Sequence, residues 1–152
     1  MLDRFDLQML TALQQDARLP IPELAQRVGL SAPACYRRLR ALRESGLIER
    51  EIALVAPKTM GWPVTMLVLV SLERDHSRIV DALIARLQTE PEVMDLWYVT
   101  GEQDFVLHVA ARDMASYEAF TRRVLHDEEQ VRSFTTLVVL GQPKRAGALP
   151  AI

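Results

Sequence analysis

The chain is poor in residues that build cross-linked or metal-held structure. Cys35 is the one cysteine among 152 residues, which excludes an internal disulfide and any multi-thiolate metal site. His76, His108 and His126 are its three histidines, and none stands at the short spacing of a ligand pair. No apolar run approaches the roughly 18 residues of a membrane span. The opening stretch carries Asp3 and Asp6 where a secretory leader would carry bases. No Ser-His-Asp, Cys-His or paired-carboxylate constellation stands out. These absences lead us to expect a cytoplasmic protein with no metal, no cofactor, no membrane contact and no enzymatic activity.

What is present is the balance of a globular chain, with 49% hydrophobic and 25% charged residues. The length suits one domain or two small ones. The net charge of −2 hides an asymmetry: residues 1–60 carry +2 and residues 61–152 carry −4. Residues 31–50 hold five arginines against two glutamates. Local charge, not the global sum, sets an electrostatic footprint for nucleic acid.

The first half reads as short helices with sharp punctuation. Asp3 is a candidate cap for a helix to about Gln15, with Phe5, Met9, Leu10 and Leu13 on one stripe. Pro22 opens a second helix, which Gly29 stops. Ser31 caps a third, Pro33 lies in its first turn, and Gly46 ends it. Three helices with a short Gly-containing turn make a helix-turn-helix. At 100° per residue, Cys35, Leu39 and Leu42 line the buried side of the third helix. Arg37 and Arg40 project oppositely, beside the small Ala34 and Ala41, while Tyr36, Arg38 and Arg43 flank. A solvated basic face is the plain explanation. The Ser cap, the preceding short helix and the small outer residues favour DNA contact instead. We expect Arg37 and Arg40 at bases or phosphates, Tyr36, Arg38 and Arg43 at the DNA backbone, and Ser31 offering its hydroxyl or the helix N-terminus to a phosphate.

The second half alternates strand, helix, strand, strand, helix, strand, beginning at Val64 and ending near Leu140. This βαββαβ order is the ferredoxin-like plan, an α+β architecture with both helices on one face of an antiparallel sheet. Residues 51–63 form a linker in which Ile52, Leu54 and Val55 could make a short strand. The expected domains are therefore 1–50, 64–142 and a tail, 143–152. The first strand is apolar on both alternating sets, which a half-exposed sheet does not need. We expect its second face to pack on another copy in a two-fold dimer, with cover by the N-terminal half of the same chain as the alternative.

Four stretches together resemble the Lrp/AsnC family of transcription regulators. They are Leu2–Asp6 with Leu10–Arg18, Glu23–Ser31, Cys35–Ile48, and the Gly101-x-x-Asp104-Phe105 signature. His126–Gln130 departs from the family's usual Pro-Gly-type turn, and Pro20-Ile21-Pro22 replaces its polar helix cap. The resemblance implies an N-terminal winged helix-turn-helix and a C-terminal ferredoxin-like effector domain. It implies double-stranded DNA as partner, and a homodimer that assembles to a tetramer or octamer. It also implies an amino acid or similar small effector held between subunits. Gly101 and Asp104 then fall in the effector loop beside Thr100, with Asp104 offering a carboxylate to a ligand ammonium. Ser133, Thr135 and Thr136 would present hydroxyls from the last strand. Turn stabilisation is the alternative for Asp104, and ordinary strand polarity for the three hydroxyls. Trp97 and Tyr98 read first as packing. Two other functions remain open: an architectural DNA protein, and a siroheme-decarboxylase-like enzyme resting on His108 and Arg112.

Overall fold

The computed structural model describes residues 2–73, 77–145 and 147–150; His76 lies outside the described residues. The chain forms two compact units, one from Met1–Leu54 with Pro143–Ile152 and one from Val55–Gln142. The closing segment that reads as a tail is thus grouped with the first unit. There the Leu149 N–H donates to Gln14 Oε1 at 2.8 Å.

The first unit holds α1 (Arg4–Gln15), α2 (Ile21–Val28) and α3 (Ala32–Glu44). Each helix starts and stops for a local reason. Asp3 and Asp6 make a reciprocal capping box, each carboxylate accepting the other's backbone N–H at 3.0 and 3.1 Å. Pro20 precedes α2 without a side-chain cap, and Pro22 sits in its first turn. Gly29 ends α2 at φ +73°, a left-handed geometry that only glycine takes cheaply. Leu30 N–H then closes onto Ala25 O at 2.9 Å, making the tight turn into α3. Met9, Leu24 and Cys35 are fully buried, and Leu13, Leu19, Ala25, Val28, Leu39 and Leu42 pack with them in the core. Burial pushes the Cys35 thiol above its ordinary pKa, so the lone cysteine packs as a small apolar residue.

The hydrogen bond from the Asp6 N–H holds the Asp3 carboxyl below its ordinary value of 3.8, with Arg38 adding to it. A carboxyl depressed on folding stabilises the folded chain above its unfolded pKa and loses that contribution as pH falls through the folded one. Thermal stability of the first unit is therefore expected to drop below about pH 3.8, and Asp3→Asn to flatten that acid limb. Identical acid limbs for the two proteins in circular-dichroism melts would rule the assignment out.

Residues 49–56 form no strand, so the short strand expected from Ile52, Leu54 and Val55 is absent. The helical first unit offers Ile52 and Leu54 no strand to pair with, and all three side chains are exposed. A 3₁₀ turn at Pro57–Met60 follows.

The second unit runs β1 (Val64–Leu72), α4 (Ser77–Leu87), β2 (Val93–Tyr98), β3 (Phe105–Ala111), α5 (Met114–Thr121) and β4 (Val131–Val138), with a π-helical turn at Arg122–His126 closing α5. The four strands are antiparallel in the order β2-β3-β1-β4. Met66, Val68 and Val70 of β1 and Phe105, Leu107 and Val109 of β3 face the helices, and all six are fully buried. They pack with Val80, Leu83 and Leu87 of α4 and Tyr117 and Phe120 of α5. An Arg123 contact with Glu90 and a 3.0 Å bond to Glu92 tie the turn after α5 to the approach of β2.

Candidate functional site

The buried stripe of α3 fixes what its other side presents. With Cys35, Leu39 and Leu42 inward, Pro33, Arg37, Arg40, Ala41 and Glu44 are exposed. Ser31 is the cap, accepting the Ala34 N–H at 3.4 Å. Tyr36 is 57% exposed on the flank. The arginines are not equivalent. Arg38 reaches back to α1, with Nη1 2.7 Å from Asp3 and 2.9 Å from Asp6, and its guanidinium lies 5.5 Å from the Phe5 ring centre. Arg38, expected at the DNA backbone, thus also joins α3 to the start of α1. Arg43 donates to both Glu51 oxygens at 2.8 and 3.1 Å, and Arg40 donates from Nε to Glu44 at 2.6 Å. Arg37 makes no ion pair among the described residues. Sequence reading missed these acidic partners. Only Glu44, four residues from Arg40, carried a local signal for its pair.

The loop between β2 and β3 holds Thr100, Gly101 and Asp104. Gly101 takes φ +127°, and a Cβ there would meet nothing within 4 Å, so the backbone angle alone calls for glycine. Asp104 is pinned three ways. Its N–H donates to Val70 O and its carbonyl accepts the Val99 N–H, each at 2.9 Å. Its Oδ2 accepts the Leu72 N–H at 2.7 Å. The Asp104 carboxylate thus ties the loop to β1, 32 residues away, and does not bond the backbone of its own turn, while its other oxygen makes no hydrogen bond among the described residues. The buried Ser71 hydroxyl, which sequence reading missed, donates to Gln103 Oε1 at 2.9 Å, with Glu102 O at 3.1 Å. Its signal was a single serine inside an apolar strand. Thr100 and Gly101 are exposed at the loop surface.

The three hydroxyls of β4 do not act together. Ser133 pairs with Ser71, Thr135 with Leu69 and Thr136 with Val68. Val68 is on the helix side, and Thr136 there meets the Tyr117 phenol. Strand alternation therefore puts Thr136 on the opposite face from Ser133 and Thr135, and it leaves the group.

Opposite the helices, the register lays Trp97, Val106, Leu69 and Thr135 in one row. Asp95, His108, Leu67 and Leu137 form the next. Trp97 and Leu137 are each 47% exposed, and both helices of the unit lie on the other side. His108 Nδ1 sits 2.7 Å from Asp95 Oδ2, and the Arg112 guanidinium lies 5.3 Å from the Trp62 ring. His108 and Arg112 are thus engaged with separate partners. Among the described residues no cluster of His, Cys, Asp or Glu is placed to hold a metal, and no helix is long and apolar enough to cross a membrane.

Comparison with known proteins bears on both units. A family model described as the AsnC-type helix-turn-helix domain matches residues 2–43. Another, the Lrp/AsnC ligand binding domain, matches residues 65–149. An HTH-type transcriptional regulator of Sinorhizobium fredii is 47% identical, over 98% of this chain and 88% of its own. The leucine-responsive regulatory protein of Rhizobium meliloti is 37% identical over 95% and 93%. The crystal structure of a Neisseria meningitidis transcriptional regulator in complex with L-Met superposes with a TM-score of 0.90 at 30% identity, covering 99% and 97% of the two chains. The chain belongs to the Lrp/AsnC family: it is a DNA-binding transcriptional regulator with a ligand-binding domain, and not an enzyme.

Proposed function

We propose that the protein is a sequence-specific regulator that inserts α3 into the major groove and responds to an amino acid or a related small metabolite. One observation carries the DNA half: the α3 face opposite Cys35, Leu39 and Leu42 is exposed and bears Arg37 and Arg40. Arginine can bond two acceptors on a guanine edge, which suits it to base reading. Pro33 and Ala41 are small enough to let that face approach the groove. Ser31 and the helix N-terminus meet a phosphate, while Tyr36 and Arg43 contact the flanking backbone.

The effector half rests on the loop carrying Thr100, Gly101 and Asp104, with Ser133 and Thr135 on the open face of the sheet. The free oxygen of Asp104 pairs with the ligand ammonium. The L-Met bound by the Neisseria protein and the leucine response that names the Rhizobium relative support an amino-acid class. The apolar rows through Trp97, Leu69, Leu67 and Leu137 favour a homodimer through this sheet face, presenting two copies of α3 to one duplex. Dimers then join as tetramers or octamers, with the effector between subunits, and the protein works in the cytoplasm, where its duplex target is.

Fluorescence anisotropy on a duplex selected from a random pool, with a scrambled control, tests this reading. It is run at two salt concentrations, with and without mixed amino acids. Selective, steeply salt-dependent binding is expected. Arg37→Ala and Arg40→Ala are each expected to weaken the selected duplex by about 1–3 kcal/mol. Equal binding of selected and scrambled DNA would remove sequence specificity, and no response to any amino acid would remove the effector class.

A further inference from the structure

Among the described residues three ion pairs join residues four apart along helical chain: Glu23 with Arg27, Glu118 with Arg122 where α5 runs into its closing turn, and Arg40 with Glu44. In the first two the glutamate precedes the arginine, the order that suits the helix dipole. The third is reversed. Glu44 is the last residue of α3, so its negative charge sits at the negative end of the dipole. Its pair with Arg40 is 68% and 62% exposed, and such surface pairs contribute little to stability. Helix stability therefore does not account for Glu44. Its position compounds the question. On the helical wheel it falls between Arg37 and Arg40, on the face that meets DNA, where an anion opposes the phosphates. It does have one specific geometric consequence: its Oε1 accepts from Arg40 Nε at 2.6 Å, while Arg37 has no such acid among the described residues.

We propose that Glu44 is a specificity-determining residue that acts through Arg40. It holds the Arg40 guanidinium against the helix in the DNA-free protein. Arg40 leaves that acid for a base edge offering two acceptors in the right geometry, and not for an arbitrary phosphate. Glu44 so lowers affinity for random DNA more than for the proper site, and it leaves Arg37 as the unrestrained contact that first engages the duplex. The role rests on α3 being the DNA-contacting helix, as proposed above.

The test measures wild type, Glu44→Gln, Arg40→Ala and the double variant against a random-sequence duplex and a duplex selected by the wild type, across a salt series. Both side chains are exposed, and circular dichroism verifies that the four proteins fold alike. With Glu44→Gln, random-duplex affinity is expected to rise about fivefold, the free energy of one surface ion pair. The selected duplex is expected to gain less, so discrimination falls. The salt slope on random DNA is expected to steepen by about one unit as Arg40 takes a phosphate. In the Arg40→Ala background the effect of Glu44→Gln is expected to shrink to the small residue of direct repulsion between Glu44 and phosphate, because most of the coupling runs through that pair. A rise that persists undiminished in the Arg40→Ala background means plain repulsion between Glu44 and phosphate alone and overturns the proposal. Unchanged discrimination in Glu44→Gln overturns it too, while wild type still binds. A wild type that binds neither duplex overturns the DNA role of α3 itself, and this role with it.

Discussion

Leu69→Arg is expected to leave both units folded, split the proposed dimer, and cost more DNA affinity than any single α3 substitution. Leu69 lies at the centre of the open sheet face, between Val106 and Thr135 in register, and it is half-buried in the single chain. A guanidinium there can reach water in the monomer, so folding is spared. In a two-fold dimer the same charge is brought against its own copy and away from water. Like charges juxtaposed at an interface cost several kcal/mol. About 4 kcal/mol is a thousandfold in the dimer constant. Alternation protects the core, because the helix-facing Val68 and Val70 are the residues that hold α4 and α5.

The loss passes to DNA through avidity. In the proposed dimer two α3 helices bind two half-sites, and the second contact is made at the high effective concentration set by the first. Breaking that link typically costs 10²–10⁴ in overall affinity, roughly, with no DNA-contacting residue changed. Light scattering across a concentration series, melts of each unit and anisotropy on the selected duplex check the prediction together. A Leu69→Arg protein that stays dimeric and binds normally would show that the open face is not the contact. Two-fold pairing through that sheet would then have to be abandoned.

The contrast between Leu69 and Arg38 marks where sequence reading succeeds and where it stops. The β1 and β3 boundaries were legible because their apolar runs are bounded by polar and glycine-containing stretches. The α3 stripe was legible because Cys35, Leu39 and Leu42 follow the helix period. Both are properties of neighbours in sequence. The destination of Arg38 is not, since Asp6 lies 32 residues away and only the packing of α1 on α3 brings them together. The same holds for Ser71, whose partners Glu102 and Gln103 come from a distant loop. Thr135 and Thr136 show a different limit. Their polarity was visible, but sorting them by face requires the register of β4 against β1. The short strand expected at residues 52–55 failed because β-propensity speaks only to how well a residue suits a strand. The partner strand must come from elsewhere, and the helical first unit has none.

The Asp104-Phe105 pair is expected to separate into two functions when each residue is changed alone. Phe105 is fully buried, and its ring centre lies 5.2 Å from that of Tyr98. Phe105→Ala opens a cavity where β3 begins and is expected to cost about 3–5 kcal/mol, destabilising the second unit as a whole. Asp104 is different in kind. Its carboxylate holds the Leu72 N–H, and Leu72 is itself buried. Asp104→Ala leaves that donor without its acceptor, at about 1–3 kcal/mol. Asp104→Asn keeps an oxygen for the Leu72 N–H and loses only the charge assistance, at about 1 kcal/mol. The asparagine protein is therefore expected to melt close to wild type, and yet to lose the proposed response to an amino acid, because a neutral amide cannot neutralise an ammonium. Melts of the three variants, paired with anisotropy across an amino-acid panel, separate loop integrity from ligand charge. If Asp104→Asn answers the same amino acid at the same concentration as wild type, the carboxylate serves the loop alone. The proposed ammonium contact then moves to another acid of the open face, where Asp95 beside His108 is the next to change.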